Sequence, residues 1–113
     1  MREYLVPILR VRNAALAVDW YGRLGFVPEW EHRFEPGLPH YVSIVRGSAR
    51  LHLSEHTGDA RPGTLVYLYV KDVDTAARAV GVDEIDDMPW GRDFEVTDPD
   101  GNRLRIGTPN LRP

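Results

Sequence analysis

Residues 9–13 read LRVRN and residues 68–72 read LYVKD, and the likeness of these two stretches decides the fold. Each carries a strand-like leucine and valine into a basic residue and then into Asn13 or Asp72, side chains that cap helix N-termini. A second match closes each half, RLHL at 50–53 against RLRI at 103–106. Two matches in the same order point to an internal duplication of a β-α-β-β-β unit. The expected fold class is therefore α+β, built from two such modules.

Between the matches, hydrophobic periodicity fills in the elements. Residues 6–11 read as a strand that Pro7 confines to a strand start or a sheet edge. Residues 14–24 read as a helix with Leu16, Trp20 and Leu24 on one face and Gly25 as its stop. Strands follow at 27–33, 40–46 and 49–54, the first two separated by Pro36, Gly37 and Pro39 and the last two by the tight turn Gly47-Ser48. The polar stretch EHTGDARPG at 55–63 reads as a linker. The second half then supplies a strand at 65–70, a short helix at 73–80 and a terminal strand pair at 93–97 and 103–106. A single domain spanning 1–113 is expected, with module one at 1–54 and module two at 64–107.

The turn between those last strands, DPDGN at 98–102, has the look of a calcium loop but fails as one. Counting from Asp98, the invariant glycine of an EF-hand falls on Arg103 and the bidentate glutamate on Pro109. Pro99 and Asp100 instead suit the centre of a type I turn, with Gly101 in the left-handed position that follows.

Composition sets the outer bounds. A chain of 113 residues can bury a core without cross-links, and the absence of cysteine removes disulfides, thiolate nucleophiles and cysteine-based zinc sites. A net charge of -3 argues against nucleic acid as a partner. No apolar run is long enough for a membrane span, and the N-terminal residues lack a secretory pattern, so a cytoplasmic protein is expected. Acids gather at Glu29, Glu31 and Glu35 and again at Asp83, Glu84, Asp86 and Asp87, which steer a cationic ligand or simply form a solvated face.

The string PILRVRNAALAVDWYGRLGF, the duplicated modules and the closing DPDGNRLRI resemble the vicinal oxygen chelate superfamily, which includes glyoxalase I, extradiol dioxygenases and bleomycin-resistance proteins. MPWGRDFEVTDPDGN and LVPILRVRN are most similar to the bleomycin-resistance branch. The resemblance implies two βαβββ modules forming a concave mixed sheet with helices outside, and a homodimer that exchanges its N-terminal arm. It also implies where a metal would be held. The four ligand positions of the metal-using members fall here on Val6, His52, Leu65 and Arg105. Val6 and Leu65 have no donor atom and the Arg105 guanidinium repels a cation, so neither metal nor cofactor is expected.

Alternation along the strands adds Ile8, Arg10, Arg50, Ser54, Tyr67, Tyr69 and Arg103 to that concave face and leaves Leu51, Leu53, Val66, Leu68, Val70, Leu104 and Ile106 as core. The resemblance further implies that Trp30, Phe34 and Trp90 stack on a flat ligand in the dimer groove, with Glu29 and Glu31 meeting its positive charge and His52, Tyr67 and Arg105 lining the pocket. An alternative places Trp90 in the core as a hairpin anchor and Trp30 at a subunit contact. No carboxylate stands at a fixed spacing from His32, His40, His52 or His56, and no G-x-S-x-G string is present. The expected function is metal-independent binding of a small, aromatic and cationic natural product such as a bleomycin-type glycopeptide. The alternative is a metal-free lyase, isomerase or cyclase using His52, Arg105 or Tyr67.

Overall fold

The computed structural model describes residues 1–33 and 35–110. The elements run β1 (Ile8–Arg10), α1 (Ala14–Gly22), β2 (Val27–His32), β3 (Tyr41–Arg46), β4 (Ala49–Ser54), β5 (Leu65–Tyr69), α2 (Val73–Ala79), β6 (Asp86–Met88), β7 (Gly91–Thr97) and β8 (Arg103–Pro109). They form two four-stranded mixed sheets, ordered β1-β4-β3-β2 and β5-β8-β7-β6. Each half is thus a βαβββ module.

The duplication is visible in the register. β1 lies parallel to β4 with Leu9 opposite Leu53, and β5 lies parallel to β8 with Leu68 opposite Ile106. These are the residues that the two sequence matches equate. The caps agree as well: the Asn13 side chain accepts from the Leu16 amide at 3.1 Å, and the Asp72 side chain accepts from the Thr75 amide at 3.2 Å.

Both sheets bury one face. Leu51, Leu53, Val42 and Ile44 pack under α1, and Phe94, Leu104 and Ile106 pack under α2. Val66 and Leu68 are only half-buried, but they face the same way and pack on this core. Alternation thus predicts the core of the paired strands well.

Three expectations need correction. The buried stripe of α1 is Ala14, Ala17 and Tyr21, with Leu24 beyond the helix, while Leu16 is 64% exposed and Trp20 half-buried. Small residues bring the helix close to its sheet, and an apolar count favouring the larger Leu16 picks the wrong side. The second module has a fourth strand, β6, within the stretch expected to be a plain connection. Its sequence, DDM, has no strand-forming residue; pairing with β7 through the backbone makes it a strand. Ser54, expected on the open face, is fully buried and donates to Asp59 Oδ2 at 2.6 Å. The linker is therefore fastened to the sheet that it leaves, and Glu55 strengthens the tie by accepting from the Ala14 and His40 amides.

DPDGN is a turn, as expected. Gly101 has φ +87° and its amide donates to the Asp98 carbonyl at 3.1 Å. The turn also joins the halves. Asp98, only 4% exposed, accepts from the Asp100 and Asn102 amides, from Asn102 Nδ2 and, across the seam, from the Tyr21 hydroxyl at 2.7 Å. Asn102, fully buried, donates to the Arg10 carbonyl of β1 at 3.0 Å. Burial, followed by the nearby Asp98 charge, pushes the Tyr21 hydroxyl pKa far above its ordinary value, so this phenol stays a donor. Tyr21→Phe is expected to lower the unfolding free energy by about 1.5–3 kcal/mol, the worth of a hydrogen bond to a charged acceptor, read by urea denaturation.

Candidate functional site

The faces turned away from the helices carry the chemistry. On the first sheet, the register sets Trp30 opposite Ser43 and Ser43 opposite His52, so the three share a face. A register shift between Pro28 and Trp30 inserts Glu29 as an extra residue in β2. Strict alternation would send Glu29 to the face opposite Trp30; the bulge returns it to the same one.

Glu29 is then fully engaged. It accepts from Ser43 Oγ at 2.8 Å and forms a two-pronged pair with Arg50 at 2.5 and 3.1 Å. The hydrogen bond from Arg50, then that from Ser43, holds its carboxyl pKa below the ordinary value. Glu31 goes elsewhere. Its cross-strand partner is the buried Val42, on the helix side of the sheet, and its carboxylate lies 3.5 Å from His40 Nε2.

Around His52 the rings assemble into a cluster. Trp30 and Tyr41 are parallel within 8° with centroids 6.0 Å apart, and His52 meets each edge-on, at 5.1 Å from Trp30 and 5.2 Å from Tyr41. The Tyr41 hydroxyl and His52 Nδ1 are hydrogen-bonded at 2.8 Å. An open depression of about 400 Å³ lies beside them, lined by Trp30, His32, Tyr41, His56 and Asp59. Phe34 lies outside the described residues.

The second sheet offers a matching cluster. Tyr67 and Tyr69 have ring centroids 4.6 Å apart, and one carboxylate oxygen of Asp93 accepts from the Tyr67 hydroxyl at 2.8 Å and from Trp90 Nε1 at 3.4 Å. Trp90 is 49% exposed, not a core residue. Burial, then the bond to Asp93, raises the Tyr67 pKa. Arg105, beside Tyr67 in the register, donates to Glu95 at 3.1 Å, and Arg103 donates to the same carboxylate at 3.5 Å.

No ring contact among the described residues joins the two clusters. At the seam between modules, Arg50 of the first and Tyr67 of the second line a depression of about 180 Å³ with Leu5 and Pro7 of the N-terminal arm. β1 pairs with β4 of its own chain, and residues 1–5 are exposed.

The four side chains at the positions that the family resemblance equates with metal ligands do not together suit a divalent ion. Val6 and Leu65 contribute no donor and Arg105 adds positive charge, which leaves His52 as the one side chain of the four with a donor atom for an ion. Among the described residues, no group of three His, Cys, Asp or Glu side chains is placed to hold a metal.

Sequence reasoning overlooked Tyr41 and Asp93. Extending the alternation from His52 across to β3 reaches Tyr41, because Ser43 pairs with His52 and Tyr41 stands two residues away. The signal for Asp93 was the acid inside the string PWGRDF, whose partners lie on other strands.

The comparisons with known proteins agree with this architecture. The glyoxalase superfamily protein model matches residues 1–110, and the chain belongs to that family. The chain is similar in structure to TnmS3, an antibiotic binding protein from Streptomyces sp. CB03234, at 22% identity, covering 97% of this chain and 98% of that one with a TM-score of 0.82. It is similar to a bleomycin resistance determinant encoded on the transposon Tn5 at 23% identity, covering 97% and 100% with a TM-score of 0.74. It also resembles the bleomycin-binding protein of bleomycin-producing Streptomyces verticillus, solved with copper(II)-bleomycin, at 26% identity, covering 96% and 98% with a TM-score of 0.66. No curated protein sequence matches the chain.

Two expected outcomes test the site's geometry. Desolvation lowers the His52 pKa below its ordinary 6.5, against a smaller opposing pull from Glu29. The folded protein therefore binds fewer protons than the unfolded chain near His52. The resulting stability is complete above pH 6.5 and is lost as pH falls through the lowered folded value. Denaturation curves between pH 7 and 5 are expected to show a shallower acid-side loss for His52→Gln than for the wild type. At Gly107, a Cβ would sit 2.6 Å from the Tyr67 hydroxyl and 2.8 Å from the Arg92 carbonyl oxygen. Gly107→Ala is expected to cost about 1–3 kcal/mol in thermal unfolding through this overpacking.

Proposed function

We propose that this protein binds a planar, aromatic small molecule and withholds it from its target without turning it over, with a bleomycin-type glycopeptide as the first candidate. The observation that carries the reading is the pair of exposed aromatic clusters, Trp30 with Tyr41 and His52 on one sheet and Trp90 with Tyr67 and Tyr69 on the other. Trp30 and Trp90 are each about half exposed on faces that the protein's own core does not use. Large rings stack on flat ligands with little loss of conformational freedom.

The charged groups support binding over turnover. Glu29 and Arg50 pair with each other, and Glu95 serves both Arg103 and Arg105, so these groups are spent on holding the walls in place. Glu29 thus offers little to a ligand cation, and Glu31 faces away from Trp30. Similarity to antibiotic-binding and bleomycin-binding proteins supports the ligand class.

A second copy of the chain completes the groove in this reading. The radius of gyration is 14.8 Å and the extents are 51 × 35 × 21 Å, where a compact domain of this length has a radius of about 13 Å. Such a flat shape leaves both aromatic walls uncovered, and a dimer with exchanged N-terminal arms covers them. No helix among the described residues is long and apolar enough to cross a membrane. A cytoplasmic location, where a sequestered drug is kept from DNA, fits the proposal.

The enzyme reading rests on one contact. Burial favours neutral His52, and Nδ1 is fixed by Tyr41, an arrangement that orients the imidazole for proton transfer. His52→Ala abolishing turnover of a metabolite while sparing its binding would favour a metal-free lyase, isomerase or cyclase.

Titration with copper-loaded bleomycin, followed by tryptophan fluorescence, tests the binding reading. Saturable quenching at micromolar or tighter affinity, with about one drug per groove, is expected. Trp30→Ala and Trp90→Ala are each expected to weaken binding by about tenfold or more with the fold intact. A flat wild-type trace overturns bleomycin as the ligand.

A further inference from the structure

Trp90 is exposed, yet its turn is fastened on every side. The Asn110 amide donates to its carbonyl at 2.9 Å, and Asn110 Nδ2 donates to the Pro89 carbonyl at 3.0 Å. Those bonds fix the backbone. The indole is held separately, by Asp93 Oδ2, which also receives the Tyr67 hydroxyl.

Asp93 is 7% exposed, and on the open side of a sheet a carboxylate so covered has to be held by its neighbours. Tyr67 stands on β5 and Asp93 on β7, with β8 between them. The phenol can cross that strand because Gly107, opposite Asp93 in the register, has no side chain. A bare strand position, a long phenol and a buried acid together build one support beneath an exposed indole.

We propose that Asp93 is the positioning residue of this wall, setting the Trp90 indole and the Tyr67 phenol in the orientation that a planar ligand stacks on, with Gly107 admitting the contact. The inference rests on the binding reading above and deepens it. Asp93 itself is shielded by the two rings and acts through them. Holding a ring in its bound orientation beforehand removes the cost of immobilising it on association. The wall then favours rigid, flat ligands over flexible ones of equal apolar area.

The test uses the full-length protein carrying 5-fluorotryptophan, whose fluorine NMR spectrum contains one signal for each of Trp20, Trp30 and Trp90, the last assigned with Trp90→Phe. Asp93→Ala is expected to shift and broaden the Trp90 signal while leaving those of Trp20 and Trp30 in place. Asp93→Asn, which keeps the volume and an acceptor oxygen, is expected to restore it. With copper-loaded bleomycin, Asp93→Ala is expected to lose affinity about tenfold, as for one hydrogen bond to a charged group, and Asp93→Asn much less. Adding Asp93→Ala to Trp90→Ala is expected to cost little more than Trp90→Ala alone, because the two act as a unit.

An unchanged Trp90 signal in Asp93→Ala overturns the proposal, as does a changed signal with undiminished affinity where Trp90→Ala loses it. Should Asp93→Ala fail to fold, Tyr67→Phe removes the second donor, and an unchanged Trp90 signal together with unchanged affinity in that variant overturns the coupled wall. A wild-type protein that binds no drug overturns the binding reading separately, and the fluorine signals still decide whether Asp93 holds the indole.

Discussion

The Asp98 carboxylate is the constraint on which the two-module architecture depends. Buried at the turn between β7 and β8, it gathers two backbone amides, the Asn102 side chain and the Tyr21 hydroxyl of the first module's helix. A buried charge is tolerable only with such a full set of donors. One of these donors belongs to the other half of the chain, and Asn102 reaches β1 in addition. The turn therefore shapes its own hairpin and fixes the modules against each other. In a segment that looks like a calcium loop, the acids are held instead by amides, a phenol and the Arg12 guanidinium.

A different economy governs the open faces. There the charges are matched locally, Glu29 with Arg50 and Glu95 with the arginines of β8, and the surface left over is aromatic. In the metal-using relatives, as the sequence resemblance implies, this region holds an ion; here a guanidinium and two aliphatic side chains occupy three of the four positions. In the proposed function, rings take over the recognition that an ion carries out in those relatives. A metal polarises a small oxygen chelate, whereas a ring stacks on any flat partner of sufficient area.

Much of the fold was legible because duplication repeats the same local signals. The caps Asn13 and Asp72, the paired strings at 50–53 and 103–106 and the aliphatic alternation of β4 and β8 report interactions between near neighbours or along one strand. β6 was not legible, since its three residues acquire strand geometry only from pairing with β7. Nor was the buried side of α1, where close packing selects alanines over the larger Leu16.

The site divides in the same way. Sequence by itself determined which residue types are available, aromatics at 30 and 90, histidine at 52 and arginine at 105, and it determined that cysteine chemistry is absent. Tertiary structure decided their company. The bulge that carries Glu29 to the side of Trp30 depends on β3, the ring cluster depends on Tyr41 lying diagonally across from His52, and the grip on Trp90 depends on Gly107 leaving room for Tyr67 to reach Asp93. Each of these is a contact between strands, and a chain read along its length carries the strands without their pairing.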